Sequence, residues 1–558
     1  MSAKRKVTLF DTTLRDGAQT PGVKFRSEDK LRVARALVDL GVDYVELGWP
    51  EANPTDTKVF AEWAMERAGV PAGKTKTVSF GMAADHRKSV GNDATFQAVM
   101  NVSADTYCLL GKSWGYHAHW LGATNAEYLD TIQKSVAHAA TKGEAIFDAE
   151  HFFQGYEANP EYALAAVKTA YEAGARYVVL CDTNGIMSPS KVTRIVNEVM
   201  KHVPGEYLGI HTHNDRGMAD ANTLAAVEAG VCHVQGTING LGERCGNANL
   251  VNVIGNLVLD GDVDCGLTKE DLVKLKPLSK LVEEVSRRPV SLSAAFVSAA
   301  SGEQKAGKHV DMFLKDPTTY RSHDPALFGV EERVGVSNQS GVSSFLKPLQ
   351  DLGLDTSKGN MEFRAVVGAL KQAEEDGYDY ENCMGSFEVM ALRLYGKMPT
   401  YFDLSSYRAV VERLPGNGSE SATKKSKLAA QATVEFLDAA HLMAEPEVSN
   451  GNGPVNALDK AMRRSLEKVY PELKTLALSD YSQDVINRHH GTDAVMQVKI
   501  VSRAPGGPEM STVGVSGNSI DASVNALMDS YALHLWRMGV QPRSFAPIAA
   551  QQPVSRVA

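Results

Sequence analysis

The first half of the chain contains eight short apolar segments that predict β-strands, and helix-length stretches separate most of them. These segments are Val7–Phe10, Tyr44–Leu47, Thr77–Phe80, Thr106–Leu110, Ala145–Asp148, Tyr177–Cys181, Leu208–His211 and His233–Gly236. Strands that alternate with helices favour a parallel sheet, because each crossover returns the chain to the same edge. Eight such units are what a closed β/α barrel requires, so the sequence predicts an α/β fold built on a TIM barrel.

A short repeat supports the barrel. Three segments place a glycine at the end of a predicted helix and start a strand about two residues later; they are Leu40–Val45, Ala173–Val178 and Ala229–Val234. The alternative is an open, doubly wound sheet. It is disfavoured because no GxGxxG run follows the first strand, and because polar residues gather at many strand ends instead of at one.

Polar side chains directly follow several of the predicted strands. The run Asp11–Gly17 follows the first strand, Glu46 lies at the end of the second, Asp148–His151 at the end of the fifth, and Asp182–Asn184 after the sixth. Any one of them could instead cap a helix, close a turn or pair with a surface charge. Because barrel enzymes build their sites from the loops at this face, the shared location predicts an active site there.

The run His211-Thr212-His213-Asn214-Asp215 follows the seventh predicted strand. Residues two apart on a strand point to the same side, so both imidazoles can face one point in space. The alternative is that they bond to solvent or to loop carbonyls. Together with Asp16 and with Asn247, in the glycine-rich run Gly240–Leu250, they would form a nitrogen and oxygen ligand set. Mg, Mn and Zn all suit such a set, which leaves room for a substrate with two oxygens.

Length and charge limit the classes of function. At 558 residues the chain is too long for one core, which predicts two to four domains. Its net charge of -9 argues against a nucleic-acid or membrane-surface role, and no apolar run is long enough to cross a bilayer. The basic start lacks the apolar core of a secretion signal, so we expect a cytoplasmic protein. The six cysteines contain no CxxC pair, which predicts neither a disulfide framework nor a zinc–thiolate site.

Three runs resemble the signatures of the family of 2-isopropylmalate, homocitrate and citramalate synthases. They are FDTTLRDG at Phe10–Gly17, HTHND at His211–Asp215 and GLGERCGNANL at Gly240–Leu250. Shorter runs at Glu46–Pro50 and Gly111–Trp114 resemble the citramalate synthase branch more narrowly. The resemblance covers nearly the whole chain. It implies a metal-dependent barrel enzyme that condenses acetyl-CoA with a 2-keto acid.

The resemblance also implies roles for individual residues. Four positions match the metal ligands of the family: Asp16, His211, His213 and Asn247. Three further positions match residues that the family places at the substrate: Arg15 beside the keto acid, Thr183 on the keto-acid carboxylate and Glu150 near the reacting centre. Glu46 and Asn184, also at strand ends, are further candidates for substrate binding. A metal and an arginine would stabilise the alkoxide that forms when the keto carbon is attacked.

His309 and Tyr320 match the catalytic histidine and tyrosine that the family brings over the barrel mouth. The methyl group of acetyl-CoA must lose a proton, and imidazole titrates near working pH, so His309 is the candidate base, assisted by Glu150 or Tyr320. The alternative is a histidine at a helix end and a tyrosine that anchors a loop. The chain departs from the branch at Val342, where the branch carries an arginine.

The composition changes near residue 414, where a stretch rich in glycine, serine and lysine predicts a linker. The predicted domains are the barrel (1–275), a mostly helical subdomain (276–413), the linker (414–428), a C-terminal α+β domain (429–545) and a tail (546–558). The C-terminal domain resembles the regulatory dimer domain of the family, which implies a homodimer and an amino-acid effector such as isoleucine. Gly451, Gly453 and Pro454 are candidate effector contacts, since a glycine turn at a helix start offers free N–H groups; a simple turn is the alternative.

Three functions stay open at this point. The first is condensation of acetyl-CoA with pyruvate to give (R)-citramalate. The second is the same reaction with a larger keto acid, or the reverse cleavage of a lyase; the third is a non-catalytic protein that binds a metal and an amino acid. Trp49 favours pyruvate because its ring could fill the space that a branched keto acid needs, although it could equally pack under Pro50.

Overall fold

The computed structural model describes residues 4–545, except 51, 69–72, 305–308, 310–311, 314, 335–342, 358–359, 381, 415–426 and 439. Val342, most of the predicted linker and the predicted tail therefore lie outside the described residues. The chain divides into two compact units: Met1–Glu303 with Ser322–Glu332, and Gln304–Arg321 with Arg333–Ala558. The five domain limits drawn from the sequence stay a prediction.

Eight parallel strands of the first unit close into a barrel, in which each strand pairs with the next one along the chain. They are β1 (Thr8–Asp11), β2 (Tyr44–Gly48), β3 (Lys76–Met82), β4 (Thr106–Lys112), β5 (Glu144–Glu150), β6 (Tyr177–Asp182), β7 (Leu208–Thr212) and β8 (His233–Gly236). The ring closes where β8 pairs with β1, with Leu9 opposite Val234. The predicted TIM barrel is confirmed, and the open sheet is excluded.

Helices connect the strands of the barrel. They are α1 (Ser27–Leu40), α2 (Pro54–Arg67), α3 (Ala94–Met100), α4 (Gly115–Trp120), α5 (Asn125–Lys142), α6 (Phe152–Ala158), α7 (Pro160–Glu172), α8 (Pro189–Val199), α9 (Ala219–Ala229), α10 (Leu250–Asp260) and α11 (Leu275–Ser286). In α8 the buried residues Val192, Ile195, Val196 and Val199 form one stripe, because positions three and four apart share a helix face. The chain thus buries one side of each such helix.

The glycines of the predicted repeat have the expected backbone conformation. Gly41, Gly174 and Gly230 have φ angles of 95°, 101° and 126° and stand at the ends of α1, α7 and α9. Residues with a β-carbon rarely adopt such angles, so glycine lets the chain turn from helix to strand within a few residues.

Side chains fill the interior of the barrel. An inner cluster contains Phe10, Tyr44, Phe80, Cys108, Ile146, Tyr177 and Val179, and the side chains of Trp49 and Leu110 pack against it. His233 is fully buried here: its ring stacks on Tyr177 with centroids 4.3 Å apart, and its Nδ1 lies 2.9 Å from Thr8 Oγ1. Because the interior is packed, a substrate site belongs at an end of the barrel.

The second unit combines two antiparallel sheets with helices. One sheet contains β9 (Phe402–Leu414), β10 (Lys427–Asp438) and β11 (Glu447–Gly451), and the other β12 (Ala477–Val485), β13 (Met496–Arg503) and β14 (Glu509–Ser516). The helices are α12 (Ser343–Asp351), α13 (Met361–Glu375), α14 (Met384–Leu394), α15 (Pro454–Leu466) and α16 (Ser519–Arg537). Leu414 pairs with Lys427, so the predicted linker connects two neighbouring strands of one sheet.

Among the described residues, none of the helices combines the length and the apolar character that a bilayer crossing needs.

Candidate active site

Four of the predicted metal ligands converge at the carboxyl end of the barrel. Asp16 lies in the loop after β1, His211 and His213 at the end of β7, and Asn247 in the loop after β8. Asp16 Oδ2 lies 3.2 Å from His211 Nε2 and 3.8 Å from His213 Nε2, and the two Nε2 atoms are 3.3 Å apart. Asn247 Nδ2 donates to Asp16 Oδ2 over 2.8 Å. The first and last loops of the barrel therefore meet the seventh strand at one point.

The donor atoms of this cluster fit a divalent ion. Asn247 Oδ1 is buried and has no hydrogen-bond partner among the described residues. Burial lowers the pKa of His213 to about 3, and the nearby His211 adds to the shift, so its imidazole is neutral near pH 7. Burial opposes ionisation of Asp16, but Arg15 and His211 outweigh it and hold the pKa of that carboxyl well below its usual range. The site thus offers a carboxylate, imidazole lone pairs and an amide oxygen, which are ligands that divalent metals accept.

Gln235 on β8 and Asp148 on β5 orient His211. Gln235 Oε1 lies 3.0 Å from His211 Nδ1, and Gln235 Nε2 donates to Asp148 Oδ1 over 2.9 Å. Since an amide oxygen only accepts, His211 Nδ1 donates to it, and Nε2 faces the other ligands of the cluster. Burial opposes the charge of His211, but Asp16 outweighs it and raises the pKa of the ring, so a metal would displace the proton from Nε2. The sequence reasoning did not single out Gln235. The only signal was its position two residues after His233, which places both side chains inside the barrel.

Arg15 is fixed by three neighbours beside the metal-ligand cluster. Its Nε donates to Glu46 Oε2 over 2.7 Å, and its guanidinium lies 3.7 Å from the centre of the Phe80 ring. Glu46 also accepts a short hydrogen bond from Thr12. Burial opposes the charge of Arg15, but Glu46 and Asp16 outweigh it and raise the pKa of the guanidinium above its ordinary value. A buried and permanently charged group of this kind can bind a carboxylate or an alkoxide.

Glu150 lies at the end of β5 in a small polar cluster. Lys112 on β4 forms a short ion pair with its Oε2, because the two residues are direct neighbours in the register of the strands. His117 and His151 complete the cluster, with their ring centroids 4.4 Å apart. Burial lowers the pKa of His151 to about 4, so this ring is neutral near pH 7. Sequence reasoning identified Glu150 but did not assign a role to the other three.

Thr183 lies beside this cluster, at the end of β6. Its Oγ1 accepts from the His151 backbone N–H over 2.9 Å, which leaves its own hydroxyl proton available for a substrate oxygen. The Thr183 carbonyl accepts from the Arg244 guanidinium, and Arg244 Nε donates to Asp215 Oδ1 over 2.7 Å. Asn184, the next residue, is exposed.

His309 and Tyr320 belong to the second compact unit. Their rings stack with centroids 4.4 Å apart and an angle of 25° between their planes, so the structure brings the two candidates together. Tyr320 is 40% exposed.

Gly453 and Pro454 line a cavity of about 560 Å³ in the second unit. Asp459 and Arg463 of α15 and Tyr481 of β12 supply its polar groups, and Val455, Leu476 and Leu478 contribute apolar surface. Gly451 ends β11 and is not among the lining residues. The cavity is therefore lined by an ion pair, in which Arg463 Nε and Asp459 Oδ1 are 2.9 Å apart, and by an apolar wall.

Comparisons with known proteins match both parts of the chain. The model of the HMGL-like family matches residues 6–282, and that of the LeuA allosteric (dimerisation) domain matches residues 395–535. An (R)-citramalate synthase from Streptomyces coelicolor is 40% identical over 537 residues, which cover 96% of this chain and 97% of the relative. Another, from Aquifex aeolicus, is 37% identical over 534 residues, with 95% and 98% coverage.

The chain belongs to the citramalate synthase family. A 2-isopropylmalate synthase from Listeria monocytogenes is more distant, at 28% identity over 541 residues, 95% of this chain and 97% of the relative. The family predicted from the sequence motifs is confirmed, and so is a C-terminal domain of the LeuA type.

Proposed function

We propose that this chain condenses acetyl-CoA with pyruvate and water to give (R)-citramalate and free CoA. Two relatives that match nearly the whole chain, at 37% and 40% identity, carry the name of that activity. The observation that carries the proposal is the convergence of Asp16, His211, His213 and Asn247 beside the buried guanidinium of Arg15. Arg15 Nη1 lies 3.7 Å from Asp16 Oδ2, which places a buried cation next to the ligand set.

We propose that Asp16, His211, His213 and Asn247 hold a divalent ion, for which Mg, Mn and Zn are the candidates. When bound, such an ion polarises the oxygens of a keto acid as a Lewis acid. Asn247 Oδ1 supports this assignment, because a buried amide oxygen without a partner costs free energy unless something binds it.

Arg15 is proposed to bind the keto acid and to stabilise the charge that develops on its carbonyl oxygen. Its contacts with Glu46 and Phe80 fix the guanidinium before the substrate arrives, and a preorganised charge in a buried site is worth more than one in water. The hydroxyl of Thr183 has a free proton and is the proposed donor to the carboxylate of the keto acid.

The reaction balances with these groups. The thioester methyl of acetyl-CoA loses a proton, and its carbon forms a bond to the carbonyl carbon of pyruvate, whose oxygen becomes the new hydroxyl. Water then breaks the thioester C–S bond and yields a second carboxylate and the CoA thiol. His309 is the proposed base, with Tyr320 stacked on its ring, and Glu150 is the proposed assistant.

The test measures the release of CoA thiol with a panel of keto acids. We expect kcat/KM for pyruvate to exceed that for 2-ketobutyrate, 2-ketoisovalerate and 2-oxoglutarate, and chelation to abolish turnover. Chiral chromatography of the product checks for (R)-citramalate. Thiol release with none of these acids, in protein that has been reloaded with Mg, Mn or Zn, would contradict the proposal.

A second proposal concerns the cavity at Gly453 and Pro454, which we infer to bind an amino-acid effector, with isoleucine as the first candidate. Arg463 and Asp459 pair with each other over 2.9 Å, and an amino acid that binds there would share this pair through its carboxylate and its ammonium group. The apolar wall suits a branched side chain. The match to the dimerisation domain supports a homodimer as the state that binds it.

A further inference from the structure

A buried ion pair lies beside the loop that carries Trp49. Lys30 on α1 and Asp56 on α2 form it, and their side chains are only 2% and 7% exposed. Charges this deeply buried are costly even when they are paired, and removing one partner is strongly destabilising. Neither residue takes part in the proposed reaction, so the pair must contribute to the protein in another way.

The pair binds the backbone on both sides of Gly48. Asp56 Oδ2 accepts from the Trp49 backbone N–H over 2.8 Å, and Lys30 Nζ lies 3.3 Å from the carbonyl oxygen of Leu47. Gly48 has a φ of +154°, and a β-carbon added there would lie 2.4 Å from Asp56 Cγ. The carboxylate can therefore approach the loop this closely only because residue 48 is glycine.

The loop in turn leads to the candidate substrate site. The Trp49 ring meets Phe80 edge-on, with centroids 5.3 Å apart and an angle of 80° between the planes. On Phe80 lies the guanidinium of Arg15, the proposed keto-acid ligand. Trp49 and Leu110 also pack against the inner cluster of the barrel. A shift of the backbone at Trp49 would therefore change the apolar surface beside Arg15.

We propose that Asp56, held by Lys30, is a positioning residue that fixes Trp49 as the wall limiting the size of the keto-acid side chain. The inference rests on the proposed function, because it concerns which keto acid that reaction accepts. A rigid wall discriminates one or two methyl groups by roughly 10–200-fold, whereas a wall that can move discriminates less. Selectivity for pyruvate would then depend on residues that never touch it.

Two double variants separate positioning from stability. Lys30→Met with Asp56→Asn removes both charges but keeps an amide oxygen that can accept from the Trp49 N–H. Lys30→Met with Asp56→Leu removes the same charges and also the acceptor. Because the variants match in charge and in the number and branching of their side-chain heavy atoms, a difference between them reports on the hydrogen bond to Trp49.

The measurement is the ratio of kcat/KM for pyruvate to that for 2-ketoisovalerate. We expect the asparagine variant to keep the wild-type ratio, and the leucine variant to lower it about 10-fold, chiefly through a lower KM for 2-ketoisovalerate. In the Trp49→Ala background, Lys30→Met with Asp56→Leu should change the ratio no further, since the wall is already gone. Equal ratios in the two folded double variants would overturn the inference.

Gly48→Ala is the second route if the leucine variant does not fold. The added methyl group pushes against Asp56 while both charges stay in place, so a lowered ratio supports the inference and an unchanged one opposes it. The outcome also separates the two proposals. If the wild type turns over no keto acid, the proposed function is contradicted. If the wild type is active and the variants keep its selectivity, only the role of Asp56 is contradicted.

Discussion

Arg15 combines a salt bridge with a stacking contact, and a lysine cannot make both. The guanidinium donates to Glu46 and lies over the Phe80 ring, whereas an ammonium group has neither the planar shape nor several donors in one plane. We expect Arg15→Lys to lower kcat/KM for pyruvate about 100-fold and to leave the thermal midpoint nearly unchanged. Arg32→Lys is the matched control, because Arg32 pairs with Glu284 on the surface. Loss of activity in both variants would speak against a specific role.

Gln235 is expected to affect metal binding although it is not itself a proposed ligand. Gln235→Leu removes the acceptor for His211 Nδ1, so the ring can rotate or change tautomer. We expect affinity for Mn²⁺, measured by isothermal titration calorimetry, to fall about 10–100-fold. Gln133→Leu, on the exposed face of α5, should bind as the wild type does. Equal affinities in the two variants would remove the orienting role of Gln235.

The sequence revealed individual side chains that follow a strand directly, and missed those whose contacts depend on pairing across strands. Asp16, His211 and Asn247 each lie in a run with a recognisable pattern. Lys112 contacts Glu150 only because β4 and β5 are paired in a particular register. Such a register depends on the closure of the whole sheet, and neither local composition nor periodicity encodes it.

The eight barrel strands are elements that a sequence specifies well. Parallel strands are covered on both faces, so each one is a short apolar run, and the predicted bounds agree with the observed strands to within two residues or so. The region around residues 415–426 shows the opposite case. Its composition predicts a connection, but does not indicate that Leu414 and Lys427 on either side of it pair with each other. Composition indicates a connecting segment, but not whether the strands on its two sides pair with each other.

His233 makes the barrel sensitive to acid. Burial lowers its folded pKa from 6.5 to about 3, while in the unfolded chain the ring takes up a proton near pH 6.5. Between these two values the unfolded state binds more protons, so stability falls as the pH falls, by roughly 1.4 kcal/mol per pH unit. Between pH 6.5 and 4.5, we expect the thermal midpoint of His233→Gln to fall by less than that of the wild type. A parallel decline of the two midpoints, followed by circular dichroism, would contradict this.

At the scale of the whole molecule, the proposed effector cavity can be filled without disturbing its walls. A β-carbon on Gly453 meets no atom within 4 Å, and the backbone there is extended, with a φ of -165°. We expect Gly453→Leu to raise the isoleucine concentration for half-inhibition at least about 10-fold, with unchanged activity when no effector is present. Gly517→Leu is the control in the same unit, since a β-carbon there is equally unobstructed. Inhibition that is alike in both variants would place the effector elsewhere.

The proposed ligands of the ion come from the first, seventh and eighth turns of the barrel, so no fragment that lacks either end of the ring can assemble the complete set. An ion that binds only the closed ring stabilises it by an amount that grows with the logarithm of its free concentration. Metal supply would then set how long the barrel survives heat or proteolysis, as well as how fast it turns over. Cells short of the ion would lose the protein along with its activity.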